Sequence, residues 1–177
     1  MSSSTPVGGI SVEFKRVPVI SAAAAYTAED QVGGIIQLFD TDPGGRVTKG
    51  AAQNQNTITT LMSLVVCDAA KQSAELVIFF FNQLPTVISV DNGAINIADS
   101  EMAAKCVGSV RVPAANYENV SASSVATVRL PETALSLKAA VDNGPLWAVM
   151  KTTGTPTYVS TSDLSLRFLF GQDLESE

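Results

Sequence analysis

The residues in this sequence best suited to acid–base chemistry are carboxylates that occur in close pairs. The pairs are Glu29 with Asp30, Asp40 with Asp42, and Asp99 with Glu101. Two carboxylates that face each other across a cleft can act as acid and base in glycoside hydrolysis. The sequence contains no histidine, so a Ser-His-Asp or Cys-His arrangement is impossible and the commonest metal ligand is missing. We interpret the pairs as surface acids in turns and predict no catalytic residue and no enzyme activity.

Two glycine-containing stretches have the residue types of ligand loops. The stretch DTDPGG, Asp40–Gly45, is similar to the start of a calcium loop, in which Asp-x-Asp precedes a glycine. The twelfth position is Ala51, so the closing bidentate acid is missing and we predict a plain turn. The pair Gly33 and Gly34 has no G-x-G-x-x-G pattern, which favours a strand bulge or a tight backbone approach over a phosphate cradle. We predict no metal and no cofactor.

The charge of the chain and its longest apolar run limit its partners. The formal net charge is −6 and the 11 Lys and Arg residues are scattered, whereas phosphate binding needs clustered basic residues. The run Leu76–Phe81 is much shorter than the roughly 20 apolar residues of a membrane-spanning helix. The opening stretch MSSSTPVGG has neither the basic start nor the apolar segment of a secretory signal. We therefore expect a soluble protein that binds neither nucleic acid nor membrane.

Alternation of apolar and polar residues is the main structural signal in the chain. Short alternating or apolar stretches are bounded by Gly, Pro, Asn or Asp, which is typical of strands separated by turns. These stretches are Ile10–Val17, Thr57–Asp68, Leu76–Phe81, Cys106–Pro113, Ser123–Pro131, Gly144–Thr152 and Asp163–Phe170. We predict eight or nine strands in an all-β antiparallel sandwich.

Three segments of the chain lack the alternating pattern. Leu76–Phe81 is apolar at every position, so we predict a central strand covered on one side by the core and on the other by a neighbouring subunit or a short helix. The stretch ADSEMAAKC is the best helix candidate, with Asp99 as a possible cap and Lys105 near the other end. Thr27–Gln31 is a candidate for another single turn.

Three residues with reactive or ring side chains are predicted to be structural. Cys67 and Cys106 lack metal-ligand spacing, and two cysteines are too few for a disulfide framework, so we expect both to be reduced and mostly buried. Trp147, the one tryptophan, has apolar neighbours, which favours core packing over a sugar-stacking platform.

The chain is predicted to form one domain with two terminal extensions. Residues 1–9 are predicted to be a flexible N-terminal arm, residues 10–171 a single β-sandwich domain, and residues 172–177 an acidic C-terminal tail. The polar stretch Asp40–Asn56 is long for a loop, and we expect it to project from one end of the sandwich.

Several stretches, in this order, resemble segments of the small structural proteins of tailed bacteriophages. They are AAYTAEDQVGG (Ala24–Gly34), AAKQSAELVIFFFNQLPT (Ala69–Thr86), DNGAINIADSEMAAKCVGSVRVP (Asp91–Pro113) and GTPTYVSTSDLSLRF (Gly154–Phe168). Together they span most of Tyr26–Phe168. The chain departs from the family pattern at Ile95, where an aromatic residue is usual, and in the length of the Asp40–Asn56 loop.

This resemblance implies a jelly-roll-like sandwich that decorates or cements a bacteriophage capsid. Such a protein is made in the host cytoplasm and binds the outside of the major capsid protein lattice as a homo-oligomer, a dimer or a trimer. On this reading Phe79, Phe80 and Phe81 form the oligomer interface. The residues expected to contact the capsid are Thr5, Pro6, Val7, Arg46 and Lys49.

Two alternatives to capsid decoration are left open by the sequence. The protein can be a tail or baseplate component of a phage, or it can be a carbohydrate-binding β-sandwich module. A glycan would stack on exposed aromatic rings, and the large amphipathic rings of the chain are Trp147, Tyr117, Tyr158 and Tyr26.

Overall fold

The computed structural model describes residues 10–38, 40–41, 47–49, 59–86, 90–130, 135–137 and 145–172. The strands in these ranges are β1 (Ile10–Arg16), β2 (Ile36–Gln37), β3 (Asp40–Thr41), β4 (Val47–Lys49), β5 (Thr59–Asp68), β6 (Leu76–Phe81), β7 (Cys106–Val112), β8 (Tyr117–Val120), β9 (Ser123–Arg129), β10 (Ser136–Leu137), β11 (Trp147–Thr152) and β12 (Leu164–Gln172). One α-helix, α1 (Asp99–Lys105), and one 3-10 turn, Ala114–Asn116, complete the described elements. The predicted all-β fold with one short helix is confirmed.

The described residues contain twelve strands, which is more than the eight or nine expected. The difference comes mainly from β2, β3, β4 and β10, which are two or three residues long and therefore too short to show alternation. β3 and β4 pair with each other inside the predicted Asp40–Asn56 loop, where we expected only polar loop. No helix within the described ranges is long and apolar enough to cross a membrane.

All described strands except β3 and β4, which form a separate pair, belong to two antiparallel sheets that pack face to face. The six-stranded sheet has the order β1-β12-β5-β9-β8, with β10 also beside β5, and the four-stranded sheet has the order β2-β11-β6-β7. Phe80 of β6 meets Phe168 of β12 edge-on, with ring centroids 6.2 Å apart, so the facing sides of the two sheets are in contact. Alternate residues of each strand point into this core, as the period of two requires.

β6 is the central strand that its apolar sequence predicted, because it pairs with β11 on one side and β7 on the other. Leu76, Ile78 and Phe80 face the core between the sheets. Val77 and its neighbour on the outer side of this sheet, Val149 of β11, are also buried. Both sides of β6 are therefore covered within one chain.

Hydrogen bonds anchor the described parts of the connection between β6 and β7, residues 82–86 and 90–105, to the four-stranded sheet and to the Gln31 segment beside it. At one end of the sheet the Asn82 N–H donates to the Lys105 carbonyl at 3.0 Å. At the other end the Gln31 N–H donates to the Gly93 carbonyl at 2.8 Å, and Gln31 pairs with Lys151 of β11. β7 and the Gln31 segment lie at opposite edges of this sheet.

α1 forms where the sequence predicted a helix, but its first turn is arranged differently. Ala98 occupies the N-cap position and no side chain caps the helix, so the prediction that Asp99 is the cap is wrong. The Glu101 carboxylate contacts the Lys105 ammonium at 2.5 Å and accepts the Thr86 N–H at 2.9 Å. The hydrogen bond from Lys105 lowers the pKa of Glu101. These contacts tie α1 to the chain that follows β6.

The two ends of the sandwich are distinct because the strands are antiparallel. At one end β1 stops at Arg16 and β12 begins at Leu164. At the opposite end Ile10 and Thr59 both pair with Gln172, the last residue of β12. The predicted arm, Met1–Gly9, lies outside the described residues and joins β1 at this opposite end.

Candidate interaction surface

The predicted oligomer interface on β6 is wrong for two of its three residues. Phe80 and Phe81 are fully buried within the chain, so neither ring has surface to offer to a second subunit. Phe79 keeps partial exposure on the outer side, where the Lys151 ammonium lies 5.9 Å from the ring centre. Successive residues of a strand point to opposite sides of the sheet, so the three rings do not form one surface.

Two of the four aromatic rings that the sequence offered for stacking on a glycan are buried in the fold. Tyr26 and Tyr158 are buried, with ring centroids 5.7 Å apart in an edge-on contact, and Tyr117 packs partly buried against the core. Trp147 is partly exposed, so the prediction that it belongs to the core is wrong. Its neighbour Ala148 faces the core, and the alternation of the strand places Trp147 on the outer side.

Most of the predicted capsid contacts cannot be located in the fold. Residues Thr5, Pro6, Val7 and Arg46 lie outside the described residues. Lys49 is the last residue of β4, and its backbone pairs with Asp40 of β3. These contacts stay predictions.

Three carboxylates of the sequence pairs make structural contacts, and these are Glu29, Asp30 and Glu101. Glu29 forms an ion pair with Lys151 of β11. Asp30 Oδ2 accepts the Thr27 N–H at 2.6 Å and the Thr27 hydroxyl at 2.9 Å, which closes the predicted Thr27–Gln31 turn. Within the described ranges no group of three His, Cys, Asp or Glu side chains is placed to hold a metal ion.

Both cysteines are free and neither is fully buried. Their intermediate exposure agrees with the prediction of reduced, mostly buried thiols, and the two residues do not form a disulfide. Cys67 lies on the outer side of the six-stranded sheet, because its neighbours Val66 and Asp68 are buried on the inner side.

Large apolar side chains are exposed on the loops at the end where β1 stops. Val19 is 75% exposed, Val90 is 75% exposed and Val159 is 80% exposed. Ala23 and Ala24 are exposed between them in sequence. We call the surface made by these five residues the valine tip.

Hydrogen bonds bring the segments of the valine tip together. The Ile20 N–H donates to the Thr161 carbonyl at 3.1 Å, one residue from Val19 and two residues from Val159. The Ala23 N–H donates to the carbonyl of Tyr158, the residue before Val159, at 2.7 Å. The first and last segments of the valine tip are therefore joined by two backbone hydrogen bonds.

Asp91 ties the third segment of the valine tip to the first. Its Oδ2 accepts the Ser21 hydroxyl at 2.5 Å, and its Oδ1 accepts the Tyr26 hydroxyl at 2.7 Å and the Gly33 N–H at 2.5 Å. Val90 directly precedes Asp91 in the chain. Gly33 has φ +73°, and a Cβ there would lie 2.8 Å from Pro18 Cβ, which confirms the tight backbone approach predicted for the glycine pair.

Two further aspartates fix neighbouring loops in the same way. Asp163 Oδ2 accepts the N–H groups of Val159 and Ser160, both at 2.8 Å. Asp68 is fully buried at the end of β5 and accepts the N–H groups of Ala70 and Ser73. Burial raises the pKa of Asp68. Asp68, Asp91 and Asp163 are thus all hydrogen-bonded to backbone N–H groups of the loops at this end.

The valine tip consists of valine and alanine side chains, which offer apolar surface and no reactive group. Exposed apolar residues that are grouped, rather than scattered singly, are typical of sites that contact another macromolecule. No protein-family model matches the sequence, and no curated protein matches it either.

Proposed function

We propose that this protein is a structural component of a bacteriophage virion that binds the outside of the capsid as a homo-oligomer, with the major capsid protein as its partner. It decorates or cements the shell and performs no reaction. The proposal joins the resemblance of the sequence blocks to the topology of the fold and to the exposed apolar surface at one end.

The order of strand pairing is the observation that carries the proposal. Eight strands pair in nested order, the first with the last: β1 with β12, β2 with β11, β5 with β9, and β6 with β7. They lie in the two sheets as β1-β12-β5-β9 and β2-β11-β6-β7. A long hairpin rolled into two sheets gives this order, and it supports a jelly-roll assignment, the architecture of many viral capsid and lectin domains.

The positions of the valine tip and of the arm, at opposite ends of the sandwich, also support a structural role. The valine tip is apolar and lies at one end of the sandwich. The arm Met1–Gly9 joins the domain at the opposite end, through Ile10. A decorating subunit needs contacts to sister subunits and to the shell at the same time, and two separated surfaces meet that requirement.

The test of this function is attachment to capsids. Purified protein is mixed with empty capsids of the same phage, the particles are sedimented, and the bound protein is measured and located by cryo-electron microscopy. We expect saturable binding to the outer surface and a solution mass above the 18.5 kDa of one chain. A monomer at micromolar concentration with no affinity for capsids contradicts the proposal. Density on the tail or baseplate instead supports the alternative virion location.

The carbohydrate-binding alternative has one observation in its favour. Trp147 is partly exposed on the outer side of the four-stranded sheet and is therefore open to contact from outside the core. A change in Trp147 fluorescence on addition of one member of a glycan panel, abolished by Trp147→Ala, supports this alternative. An unchanged spectrum across the panel removes its main support.

A further inference from the structure

We propose that Asn92 is a site of spontaneous deamidation whose rate is set by local opening of the turn at residues 90–93. Its conversion to isoaspartate detaches this turn from the Gln31 segment. Asn92 is followed by Gly93, and this dipeptide favours the reaction because glycine has no side chain to hinder its own amide nitrogen. The inference goes beyond the proposed function and does not depend on it.

The modification needs no reactant other than water. The backbone nitrogen of Gly93 attacks Cγ of the Asn92 side chain, and the new C–N bond closes a succinimide ring. The bond from Cγ to Nδ2 breaks, and Nδ2 leaves as ammonia with the proton that the Gly93 nitrogen has lost. Water then opens the ring at one of its two carbonyls, which gives either aspartate or isoaspartate.

The closed turn holds the attacking nitrogen in a hydrogen bond. The Gly93 N–H donates to the Val90 carbonyl at 3.1 Å. The residues on both sides of the reacting peptide bond are also clamped, because the Asn92 N–H donates to the Gln31 carbonyl at 2.9 Å and the Gln31 N–H donates to the Gly93 carbonyl at 2.8 Å. Attack on Cγ requires the Gly93 N–H to leave its acceptor, so the reaction proceeds from an opened turn.

The side chain of Asp91 determines how readily this turn opens. Its carboxylate accepts the Ser21 hydroxyl, the Tyr26 hydroxyl and the Gly33 N–H, which fastens the turn to two other loops. Asn92 itself is only half-buried, so the turn lies at the surface of the domain. Surface turns open locally at a smaller cost in free energy than global unfolding, and the reaction therefore occurs in the folded protein at a reduced rate.

Formation of isoaspartate changes the backbone path through the turn. The chain then runs through Cβ and Cγ of the modified residue, which inserts an additional backbone atom between the nitrogen of residue 92 and the carbonyl of Gly93. The two hydrogen bonds with Gln31 depend on the normal spacing of these two groups, so both cannot persist after the change. Because Gln31 also pairs with Lys151 of β11, the modification loosens the turn at the edge of the four-stranded sheet.

The experiment measures deamidation of Asn92 in the folded full-length protein and in the same protein unfolded in guanidinium chloride. Both samples are incubated at mildly alkaline pH and digested, and the modified peptides are quantified by mass spectrometry. Residues 142–144 repeat the tripeptide Asp-Asn-Gly outside the described ranges, so Asn143 is the sequence-matched reference in the unfolded sample. We expect equal rates for Asn92 and Asn143 in the unfolded chain, and a rate for Asn92 in the folded protein that is lower by about tenfold or more.

Each outcome for Asn92 decides for or against the inference. Equal rates in the folded and unfolded protein show that the turn does not control the reaction. No product in the folded protein, during a time that converts the unfolded chain completely, shows that the turn does not open locally. Either result overturns the proposal.

A variant of the loop that holds Asp91 tests the control by the turn directly. Ser21→Ala removes the hydroxyl that donates to Asp91 Oδ2, and it should raise the rate in the folded protein by up to about tenfold without changing the rate in the unfolded chain. Ser109→Ala is the matched control, because Ser109 is exposed on β7 at the other edge of the sheet. An unchanged rate in folded Ser21→Ala contradicts the role of Asp91. If this variant does not fold, hydrogen exchange of the Gly93 amide in wild type replaces it, and its protection must match the slowing of deamidation.

The isoaspartyl form, separated by ion-exchange chromatography, tests the structural consequence. Loss of two backbone hydrogen bonds should lower its melting temperature by roughly 3–8 °C relative to unmodified protein. Asn92→Asp is the control, because it introduces the same charge and keeps the normal backbone path, and it should melt well above the isoaspartyl form. If the isoaspartyl form melts with wild type or with Asn92→Asp, the modification does not detach the turn and this part of the inference is overturned.

Discussion

Tyr26 donates its hydroxyl proton to Asp91 Oδ1 at 2.7 Å, across 65 residues of sequence. The same hydroxyl accepts the Ser21 N–H at 2.9 Å, so one phenol oxygen joins the first loop of the sandwich to the turn that begins at Asp91. The ring is buried and meets Tyr158 edge-on. The contact lies directly under the valine tip and fixes two of its segments.

The first prediction concerns the hydroxyl group of Tyr26. Tyr26→Phe keeps the ring but removes a hydrogen bond to a carboxylate, which typically contributes about 1.5–3 kcal/mol. For a chain of this size we expect the melting temperature to fall by roughly 4–10 °C in a thermal unfolding experiment. Tyr158→Phe is the matched control, because that ring is equally buried while the bond to Asp91 comes from Tyr26. Equal shifts for the two variants contradict this role for Tyr26.

The second prediction uses two adjacent glycines with different surroundings. Gly33 has φ +73° and its missing Cβ would lie 2.8 Å from Pro18 Cβ, whereas a Cβ at Gly34 would meet nothing within 4 Å. Gly33→Ala should destabilise the protein by about 1–3 kcal/mol, because a side chain is strained in this backbone conformation. Gly34→Ala should leave the melting temperature within about 1 °C of wild type. If Gly33→Ala leaves the melting temperature unchanged, the loop accommodates the added Cβ and the prediction is wrong.

The sequence was sufficient to predict the long strands of the fold but not the shortest strands or the exact role of each glycine. The long strands followed from alternation, as in Leu164, Leu166, Phe168 and Phe170, because each contributes enough residues to show a period of two. β2 has two residues and no period, so only its pairing with β11 defines it. The glycine pair signalled a close approach, but the sequence could not say which of the two glycines makes it.

The third prediction concerns the ionisation of the tyrosines at alkaline pH. Burial raises the pKa of Tyr26, Tyr117 and Tyr158 above the ordinary value of about 10, and these are all the tyrosines of the chain. The folded protein therefore binds more protons than the unfolded chain above that pH. Stability contributed by the neutral phenols is present below pH 10 and is lost as pH rises further.

The measurement for the tyrosines is phenolate absorbance near 295 nm, followed together with far-ultraviolet circular dichroism. We expect no phenolate signal near pH 10 in the folded state, and a cooperative rise that coincides with loss of the β signal at higher pH. Urea-unfolded protein is the control and should titrate near 10. A reversible phenolate signal at pH 10 with the fold intact shows that at least one tyrosine is accessible.

The candidate surface was harder to predict than the fold because its contacts are non-local. Asp91 appeared in the sequence as part of an ordinary Asp-Asn-Gly turn, and its hydrogen bonds reach Ser21 and Gly33, which no local pattern connects to it. Val90 is a single valine beside a turn and shows no periodicity. Trp147 was misplaced because the residues around it are all apolar, so only the pairing of β11 determines which side each residue faces.

The last prediction concerns the arm Met1–Gly9. Its sequence, MSSSTPVGG, contains few apolar side chains to offset an ordering entropy of about 1–2 kcal/mol per residue. The β1 ladder begins with Ile10 opposite Gln172, so deleting residues 1–9 leaves every described pair of that ladder in place. We expect the melting temperature of the deletion variant to stay within about 2 °C of wild type. Capsid attachment should weaken at least tenfold if the arm adds its backbone to a neighbouring chain.

The control for the arm is a shorter deletion of residues 1–4, which keeps the predicted contacts Thr5, Pro6 and Val7. This variant should attach to capsids as wild type does, because the residues expected to contact the shell are still present. A melting temperature that falls by several degrees on deletion of residues 1–9 shows that the segment belongs to the folded domain. Normal melting together with full decoration of capsids shows that the arm has no role in attachment, which then depends on the rest of the chain.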